Sequence, residues 1–217
     1  LNRSSVLAIV GITIGVIVLH IVLAVMNGFE HEMRRTFVEN MPMVTVHCSA
    51  AEGFTGLKPL MEEIAEDPEV LGVAPFIRKE AIVTGGARFG DPRNKGAVIW
   101  GIDPDLIDSV QPLSKFLLPA PEILAGLPGG KVPRVILGSA LANNLYAAVG
   151  DTVILTTTKG EFKADRIEAE SRKIVVIGFF ETGMYEFDSQ FAYMDIDQSR
   201  EIFGFTPGGA SLVGVKV

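Results

Sequence analysis

The chain has 217 residues, and its 26 acidic and 19 basic side chains give a formal net charge of −7 at pH 7. No Lys/Arg cluster is longer than Arg34-Arg35, so the basic patch that nucleic-acid binding requires is missing, and no nucleic-acid partner is expected. The single cysteine, Cys48, cannot form an internal disulfide, and we interpret it as a small core or edge residue of a strand.

An apolar run of 21 residues, Val6–Met26, contains no Asp, Glu, Lys or Arg. A helix of that length spans about 30 Å, the thickness of the hydrocarbon core of a bilayer. We interpret the run as a transmembrane helix. A buried core helix would need neighbours on every face, and a signal peptide would have a shorter apolar region followed by a small-x-small cleavage site. Orientation stays open, because Arg3 lies on one side and Arg34-Arg35 on the other.

The helical pattern continues beyond the apolar run. Phe29, Met33 and Phe37 repeat at i, i+4 and i+8, and Pro42 stops a helix near Asn40. The sequence therefore predicts that residues 1–40 form a transmembrane helix and a rigid stalk, weakened locally by Gly28.

The two ends of the remaining chain carry similar β-α-β patterns. The predicted elements are Met43–Ser49, Leu57–Glu66 and Val70–Arg78, then Phe191–Met194, Asp197–Phe203 and Ser211–Val217. We predict an α+β fold in which residues 41–80 and 182–217 form one discontinuous, ferredoxin-like βαβ subdomain.

The middle of the chain is rich in short β-like runs separated by Gly and Pro. We predict that residues 81–181 are a β-rich insertion into the first subdomain, interrupted by one helix at Ser139–Ala147. The predicted strands are Ala81–Gly85, Ala97–Ile102, Val135–Leu137, Thr152–Thr157 and Lys173–Phe180.

Signatures of enzyme chemistry are missing from the sequence. The glycine-rich segment Gly126–Lys131 is one residue short of a phosphate loop and is followed by Val132 instead of Ser or Thr, so it predicts a turn. The pairs Asp103/Asp105 and Asp195/Asp197 are typical of turns and helix caps. We predict no catalytic residue and no metal site.

Two features of the apolar run indicate contacts between helices. Gly11 and Gly15 form a G-x-x-x-G pair that allows close helix packing, although glycine is also common in membrane helices. His20 is ionisable, which indicates either a functional group or a neutral imidazole that faces another helix.

Several segments resemble one family of transporter subunits. Gly11–Arg34, GITIGVIVLHIVLAVMNGFEHEMR, resembles the first transmembrane helix and stalk of lipoprotein-releasing ABC transporter permeases of the LolC/LolE type, which belong to the MacB-like superfamily. Further similar segments are VAPF at Val73–Phe76, GIDP at Gly101–Pro104, LGSALA with VGDT between Leu137 and Thr152, and Ile177–Asp188, IGFFETGMYEFD.

The resemblance implies an architecture and a set of partners. Members of the family have four transmembrane helices, and a large periplasmic domain lies between the first two. The chain would then lie in a bacterial inner membrane, with its folded domain in the periplasm. The implied partners are an ABC ATPase subunit, a second permease copy or paralogue, membrane lipid, a lipoprotein substrate and a periplasmic carrier. No cofactor is expected on this chain, since the ATPase subunit binds ATP and Mg²⁺.

The resemblance also suggests two functional sites. Val22, Met26, Phe29 and Met33 are candidates for lining an acyl-chain cavity, or for ordinary packing against a partner helix. The counterpart of the family's carrier-docking loop is Thr158–Arg172, with Lys159, Gly160, Glu161, Phe162 and Lys163 at its centre. It lacks the apolar, proline-containing tip of the members that grip the carrier. The alternatives are docking through charge, a non-docking permease of the pair, and a solvated hairpin.

Two other functions fit the same sequence features. One is a related mechanotransmission permease of the macrolide-exporter or cell-division type. The other is a membrane-tethered periplasmic interaction domain with no role in transport.

Overall fold

One unbroken helix, α1, comprises Arg3–Asn40 in the computed structural model. The structure describes residues 2–40, 42–48, 53–54, 56–86, 90–158 and 169–217, and for residues 31–40 and 158 it describes only the secondary structure. The chain divides into two compact units, Leu1–Glu39 and Asn40–Val217.

The length of α1 agrees with the predicted membrane helix and stalk. Its 38 residues extend about 57 Å at the usual helical rise. The segment Arg3–Glu30 is long and apolar enough to cross a membrane, and none of its most apolar 18-residue window is buried. Gly28 does not interrupt the helix. The predicted end near Asn40 is confirmed.

The second unit alternates short helices with strands. Its α-helices are α2 (Leu57–Ala65), α3 (Ile107–Val110), α4 (Ser139–Leu145), α5 (Tyr185–Gln190) and α6 (Ile196–Phe203), and Leu113–Phe116 and Pro121–Gly126 are 3₁₀-helical. The strands of its described residues are β1 (Val44–His47), β2 (Gly72–Gly85), β3 (Arg93–Ile102), β4 (Leu117–Leu118), β5 (Arg134–Gly138), β6 (Thr152–Thr158), β7 (Ala169–Phe180), β8 (Phe191–Asp195) and β9 (Leu212–Lys216).

Strands from the two ends of the unit lie side by side. β9 is antiparallel to both β1 and β2 and lies between them. The helix α2 connects β1 to β2, and α6 connects β8 to β9. The predicted α+β class, with an N-terminal apolar helix and a discontinuous βαβ layer, is confirmed.

Six strands form a closed circuit beyond this layer. β2 pairs with β3, β3 with β8, β8 with β5, β5 with β7, β7 with β6, and β6 again with β2. The pairs β3–β8 and β5–β7 are parallel and the other four are antiparallel. A closed circuit of paired strands is a barrel, and closure leaves the paired parts of these strands without a free edge.

One long strand belongs to both the layer and the barrel. β3 pairs with one edge of β2. The opposite edge of β2 pairs with β9 as far as Phe76 and with β6 from Ile82 onward. Between these pairings the backbone N–H of Arg78 donates to Ser211 Oγ at 2.7 Å. The predicted domain boundary at residue 81 falls beside this change of partner. It stays a prediction, because β2 runs through both parts and β8, from the C-terminal segment, is a strand of the barrel.

The barrel interior is filled by small and branched apolar side chains. They alternate with outward-facing residues: Val83 and Leu155 are fully buried, whereas their neighbours Ile82 and Ile154 are exposed. Leu141 and Leu145 of α4 pack into the same cluster. A second cluster around Phe76 lies under α3 and the 3₁₀ segments, and a third joins α2 to β9.

The structure corrects two details of the sequence prediction. The region 81–181 contains α3 and two 3₁₀ segments in addition to the one helix predicted there. These segments are too short to show an apolar periodicity. The predicted loop Thr158–Arg172 is also too long, because β7 begins at Ala169 and pairs with β6 as far as Thr158. The residues between these strands are 159–168.

Candidate functional site

The residues predicted to line an acyl-chain cavity share one side of α1. At roughly 100° of rotation per residue, positions 22, 26, 29 and 33 fall within an arc of about 60°. Val22, Met26 and Phe29 each expose more than half of their surface. Position 33 is helical, but the structure does not describe the Met33 side chain.

Gly11 and Gly15 lie on the same side of α1 as this stripe. All six positions fall within the same arc of about 60° around the helix axis. A Cβ added at either glycine would meet no atom within 4 Å, so that part of the helix offers a smooth surface to a neighbour. The two predictions therefore concern a single face, with small residues at one end and bulky, flexible ones at the other. Both stay predictions.

The predicted docking residues Lys159, Gly160, Glu161, Phe162 and Lys163 lie outside the described residues. The hairpin that carries them is described. β6 and β7 pair over seven positions, from Thr152↔Val175 to Thr158↔Ala169. Near the base of the loop, Arg172 Nη2 lies 2.6 Å from Glu170 Oε1, and Thr156 Oγ1 lies 2.9 Å from Ser171 Oγ. The loop is thus carried on a regular hairpin, and the Thr156–Ser171 pair joins its two strands.

A cavity of about 550 Å³ lies beside the same hairpin. Its walls include Ala81, Ala97, Thr157, Ala169 and Gln190. Ala81 and Ala97 are opposite each other on β2 and β3. Among the described residues no group of three or more His, Cys, Asp or Glu side chains is placed to bind a metal ion.

The motif Ile177–Asp188 forms the end of β7 and a tight turn into α5. The buried carboxylate of Asp188 closes this turn: its Oδ1 accepts from Thr182 N at 3.0 Å and from Thr182 Oγ1 at 2.9 Å. Thr182 Oγ1 in turn accepts from Met184 N at 3.2 Å. The neighbouring Tyr185 is 64% exposed. The acidic residue of the motif therefore holds the backbone, and the tyrosine faces solvent.

Gly138, at the start of α4, makes the packing of this motif possible. A Cβ at position 138 would lie 2.1 Å from the carbonyl oxygen of Asp188. That distance is far below any van der Waals contact, so a side chain there would push α5 away from β5. The glycine of the LGSALA segment and the aspartate of the GMYEFD segment thus form one structural unit.

A buried polar pair was not found from the sequence. Gln111 Nε2 donates to Tyr193 Oη at 2.8 Å, across 82 positions of sequence. Burial raises the pKa of Tyr193 to about 12, against the opposing effect of the Gln111 hydrogen bond. A polar residue in a loop and a tyrosine in a strand show no local signal that they will meet.

Asp195 caps α6 from the end of β8. Its Oδ1 accepts from Asp197 N at 3.1 Å and Gln198 N at 3.0 Å. Burial raises the pKa of Asp195 above the usual carboxyl value, although these N–H groups act in the opposite direction. The cap agrees with the predicted role of Asp195/Asp197.

The family model for the MacB-like periplasmic core domain matches residues 5–217 of the chain. The chain belongs to the MacB-like periplasmic core domain family. The match includes almost all of α1 and the entire second unit.

Curated relatives of this family member are named as lipoprotein-releasing system transmembrane proteins. LolC of Xylella fastidiosa (strain 9a5c) is 29% identical over 198 residues, covering 91% of this chain and 46% of that protein. LolC of Neisseria meningitidis is 28% identical over 199 residues (92% and 46%), and LolE of Haemophilus influenzae is 23% identical (96% and 48%). The chain spans about half the length of these relatives.

Two solved structures are also similar to this MacB-like domain. The extracellular domain of the ABC-type transporter YknZ aligns with a TM-score of 0.48 at 15% identity, covering 80% of this chain and 81% of that one. The periplasmic region of MacB from Actinobacillus actinomycetemcomitans aligns with a TM-score of 0.46 at 15% identity, covering 82% and 76%.

Proposed function

We propose that this chain is the first transmembrane helix and the periplasmic domain of a permease subunit in an ABC transporter that releases lipoproteins from the bacterial inner membrane. The observation that carries the proposal is α1, an exposed apolar helix of membrane-spanning length that continues without a break to Asn40. The LolC and LolE relatives align with both this helix and the folded domain.

The proposed mechanism separates the source of energy from the site of extraction. A partner ATPase subunit hydrolyses ATP, and the resulting movement reaches the periplasm through α1. A continuous helix suits this task because each backbone hydrogen bond connects one turn to the next, so that displacement at one end is transmitted to the other. A second permease, identical or paralogous, provides the facing helices.

The acyl chains of the lipoprotein are assigned to the face that carries Val22, Met26 and Phe29. Each acyl CH₂ kept out of water contributes about 0.8 kcal/mol, so extraction requires an apolar surface that follows the chains out of the bilayer. Methionine is flexible and polarizable and therefore adapts to irregular lipid tails. The charged loop around Lys159–Lys163 is the candidate contact for a periplasmic carrier.

The decisive experiment uses the full-length permease reconstituted with its ATPase subunit in proteoliposomes that contain an acylated lipoprotein. We expect ATP-dependent transfer of the lipoprotein to a soluble carrier, and no transfer when the permease is omitted. Transfer that continues without this permease would overturn the proposal. If the complex hydrolyses ATP but moves a different substrate, the related mechanotransmission permease is the better assignment.

The acyl-chain face can be tested with a pair of variants at nearly the same depth in the membrane. Val25 and Met26 are adjacent and both exposed, but point about 100° apart. An amide placed against acyl chains has no hydrogen-bond partner, so Met26→Gln should lower the transfer rate on the order of tenfold. Val25→Gln, the control, should lower it much less. Equal losses in the two variants would contradict the assignment of this face.

A further inference from the structure

Strand β2 has a gap in the pairing along the edge that faces away from β3. On this edge β2 pairs with β9 as far as Phe76 and with β6 from Ile82 onward. In the part of the chain that the structure describes, no strand pairs with this edge at residues 77–81, which we call the β2 gap. β6 and β9 are both antiparallel to β2, so the gap separates two segments that follow the same edge.

Two hydrogen bonds beside the gap show which backbone groups point into it. Ser211 N donates to the carbonyl oxygen of Phe76 at 2.9 Å, and Arg78 N donates to Ser211 Oγ at 2.7 Å. In an antiparallel strand every second residue directs its N–H and C=O to the same edge. The N–H and C=O of Glu80 therefore point into the gap, as does the C=O of Arg78. Such groups on a strand edge form a template for an added strand.

Two cavities provide space for a further segment along this edge. The cavity of about 550 Å³ is lined by Glu80 and Ile82, near the end of β6. A second cavity, of about 270 Å³, is lined by Arg78, Lys79 and Ser211, near the start of β9. The gap is therefore bordered by open space at both of its ends.

The side chains around the gap indicate which partner it fits. Arg78 and Lys79 are both exposed, and strand alternation places them on opposite faces of β2. Lys79 Nζ lies 5.3 Å from the ring centroid of Phe205, and Arg78 Cζ lies 5.9 Å from that of Trp100. The ion pairs of the described residues involve neither side chain. These two positive charges favour an acidic side chain in the added strand.

We propose that the β2 gap binds an extended segment of a partner protein, which adds to the sheet as an antiparallel strand with an apolar side chain opposite Glu80 and an acidic one opposite Lys79. Residues directly opposite each other share a face. The apolar side chain then lies on the face of Ile82 and Val98, two apolar residues that line the larger cavity, and the acidic one lies beside Lys79. Because the added strand is antiparallel, the apolar residue immediately precedes the acidic one.

Hydrogen exchange of the full-length protein in lipid nanodiscs tests whether the edge is free. Exchange is measured at single-residue resolution by mass spectrometry with electron-transfer fragmentation. Without a partner, the Glu80 amide should exchange much faster than the amides of Lys79 and Ala81, which point to β3. Equal protection at the three positions would show that another part of the chain or a second copy already pairs with this edge, and would overturn the proposal.

The probe for binding is the synthetic peptide acetyl-STVETS-amide, whose valine is designed to lie opposite Glu80. At ten times its Kd, the peptide should slow exchange at Glu80 about tenfold, because exchange then occurs only from the unbound fraction. The same peptide with N-methylvaline cannot donate to the Glu80 carbonyl oxygen and should leave the exchange rate unchanged. Equal slowing by both peptides, or by neither, would contradict strand addition.

Charge reversal tests the register of the added strand. Lys79→Glu should weaken binding of the peptide roughly fivefold, because like charges then lie opposite each other. Lys95→Glu, at an exposed lysine of β3, is the control and should have little effect. The peptide acetyl-STVKTS-amide should bind the Lys79→Glu variant more tightly than the wild type. Affinities that do not depend on residue 79 would overturn the proposal. None of these measurements uses lipoprotein transfer, so their outcome is independent of the proposed function.

Discussion

Leu19 of α1 exposes 56% of its surface, whereas Leu137 of β5 exposes none. Both residues belong to apolar stretches of sequence, and both avoid water, but in different ways. In the barrel, six strands and α4 enclose their own apolar side chains. In α1, the side chains point outward, and in the proposed function a bilayer or a neighbouring helix covers them. The same residue type therefore stabilises the fold in one region and is exposed along a helix of membrane-spanning length in the other.

This contrast predicts a large difference between two identical substitutions. Leu137→Ala removes a fully buried side chain and leaves a cavity, so it should lower the free energy of unfolding of the folded domain by about 2–5 kcal/mol. Leu19→Ala should leave that free energy unchanged. Trp100 is the one tryptophan of the chain and is buried in the domain. Its fluorescence during urea unfolding of the detergent-solubilised protein therefore measures the free energy of unfolding of each variant. Equal losses would contradict the division into two regions.

Alanine substitutions of two glycines, Gly138 in the folded domain and Gly15 in α1, compare the same two regions. Gly138→Ala places a methyl group against the backbone of Asp188 and should destabilise the domain by about 1–3 kcal/mol or more, since overpacking forces the backbone to move. Gly15→Ala meets open space and should leave the domain intact, while weakening the close helix packing predicted for Gly11 and Gly15. Trp100 fluorescence reports the first effect, and cross-linking between the permease subunits reports the second. If the Gly138→Ala variant is as stable as the wild type, the backbone of Asp188 in α5 does not lie as close to Gly138 as described.

The smallest expected effect concerns pH and is confined to the folded domain. The raised pKa of Tyr193, about 12, exceeds the value near 10 of an unfolded tyrosine. Between pH 10 and 12 the unfolded chain therefore loses a proton that the folded chain keeps. Stability falls as pH rises through this interval, because the folding equilibrium constant decreases by at most about tenfold per pH unit.

Tyr193→Phe removes this contribution and should flatten the dependence of stability on pH across the same interval. The measurement is urea unfolding of both proteins at a series of alkaline pH values. The helix contains no tyrosine and serves as the internal reference, so its circular dichroism should not change with this titration. An unchanged pH dependence in Tyr193→Phe would contradict the assignment.

Much of the fold is encoded in local patterns. The predicted helix Leu57–Glu66 corresponds to Leu57–Ala65, because Leu57, Met61 and Ile64 recur at helical spacing and pack against β9. The strand at the end of the chain was predicted within one residue at each end. α5 was missed because its six residues, Tyr185–Gln190, are too few for a periodic signal and are held by a turn that Asp188 closes.

The candidate site was predictable to a different degree. The stripe of Val22, Met26 and Phe29 follows from helical spacing alone, since a straight helix converts sequence position into direction. The contact between Gln111 and Tyr193 had no sequence signal at all.

By itself, the sequence determined an apolar helix of membrane-spanning length, the order of the βαβ units and the resemblance to transporter permeases. These properties depend on residues within a few positions of one another, where apolar spacing directly specifies a helix or a strand. Only the tertiary structure decided that β6 closes on β2 and that β8 connects β3 to β5. Such pairings join segments far apart in the chain, and the choice among possible partners depends on which arrangement buries the most apolar surface, a property of the whole domain.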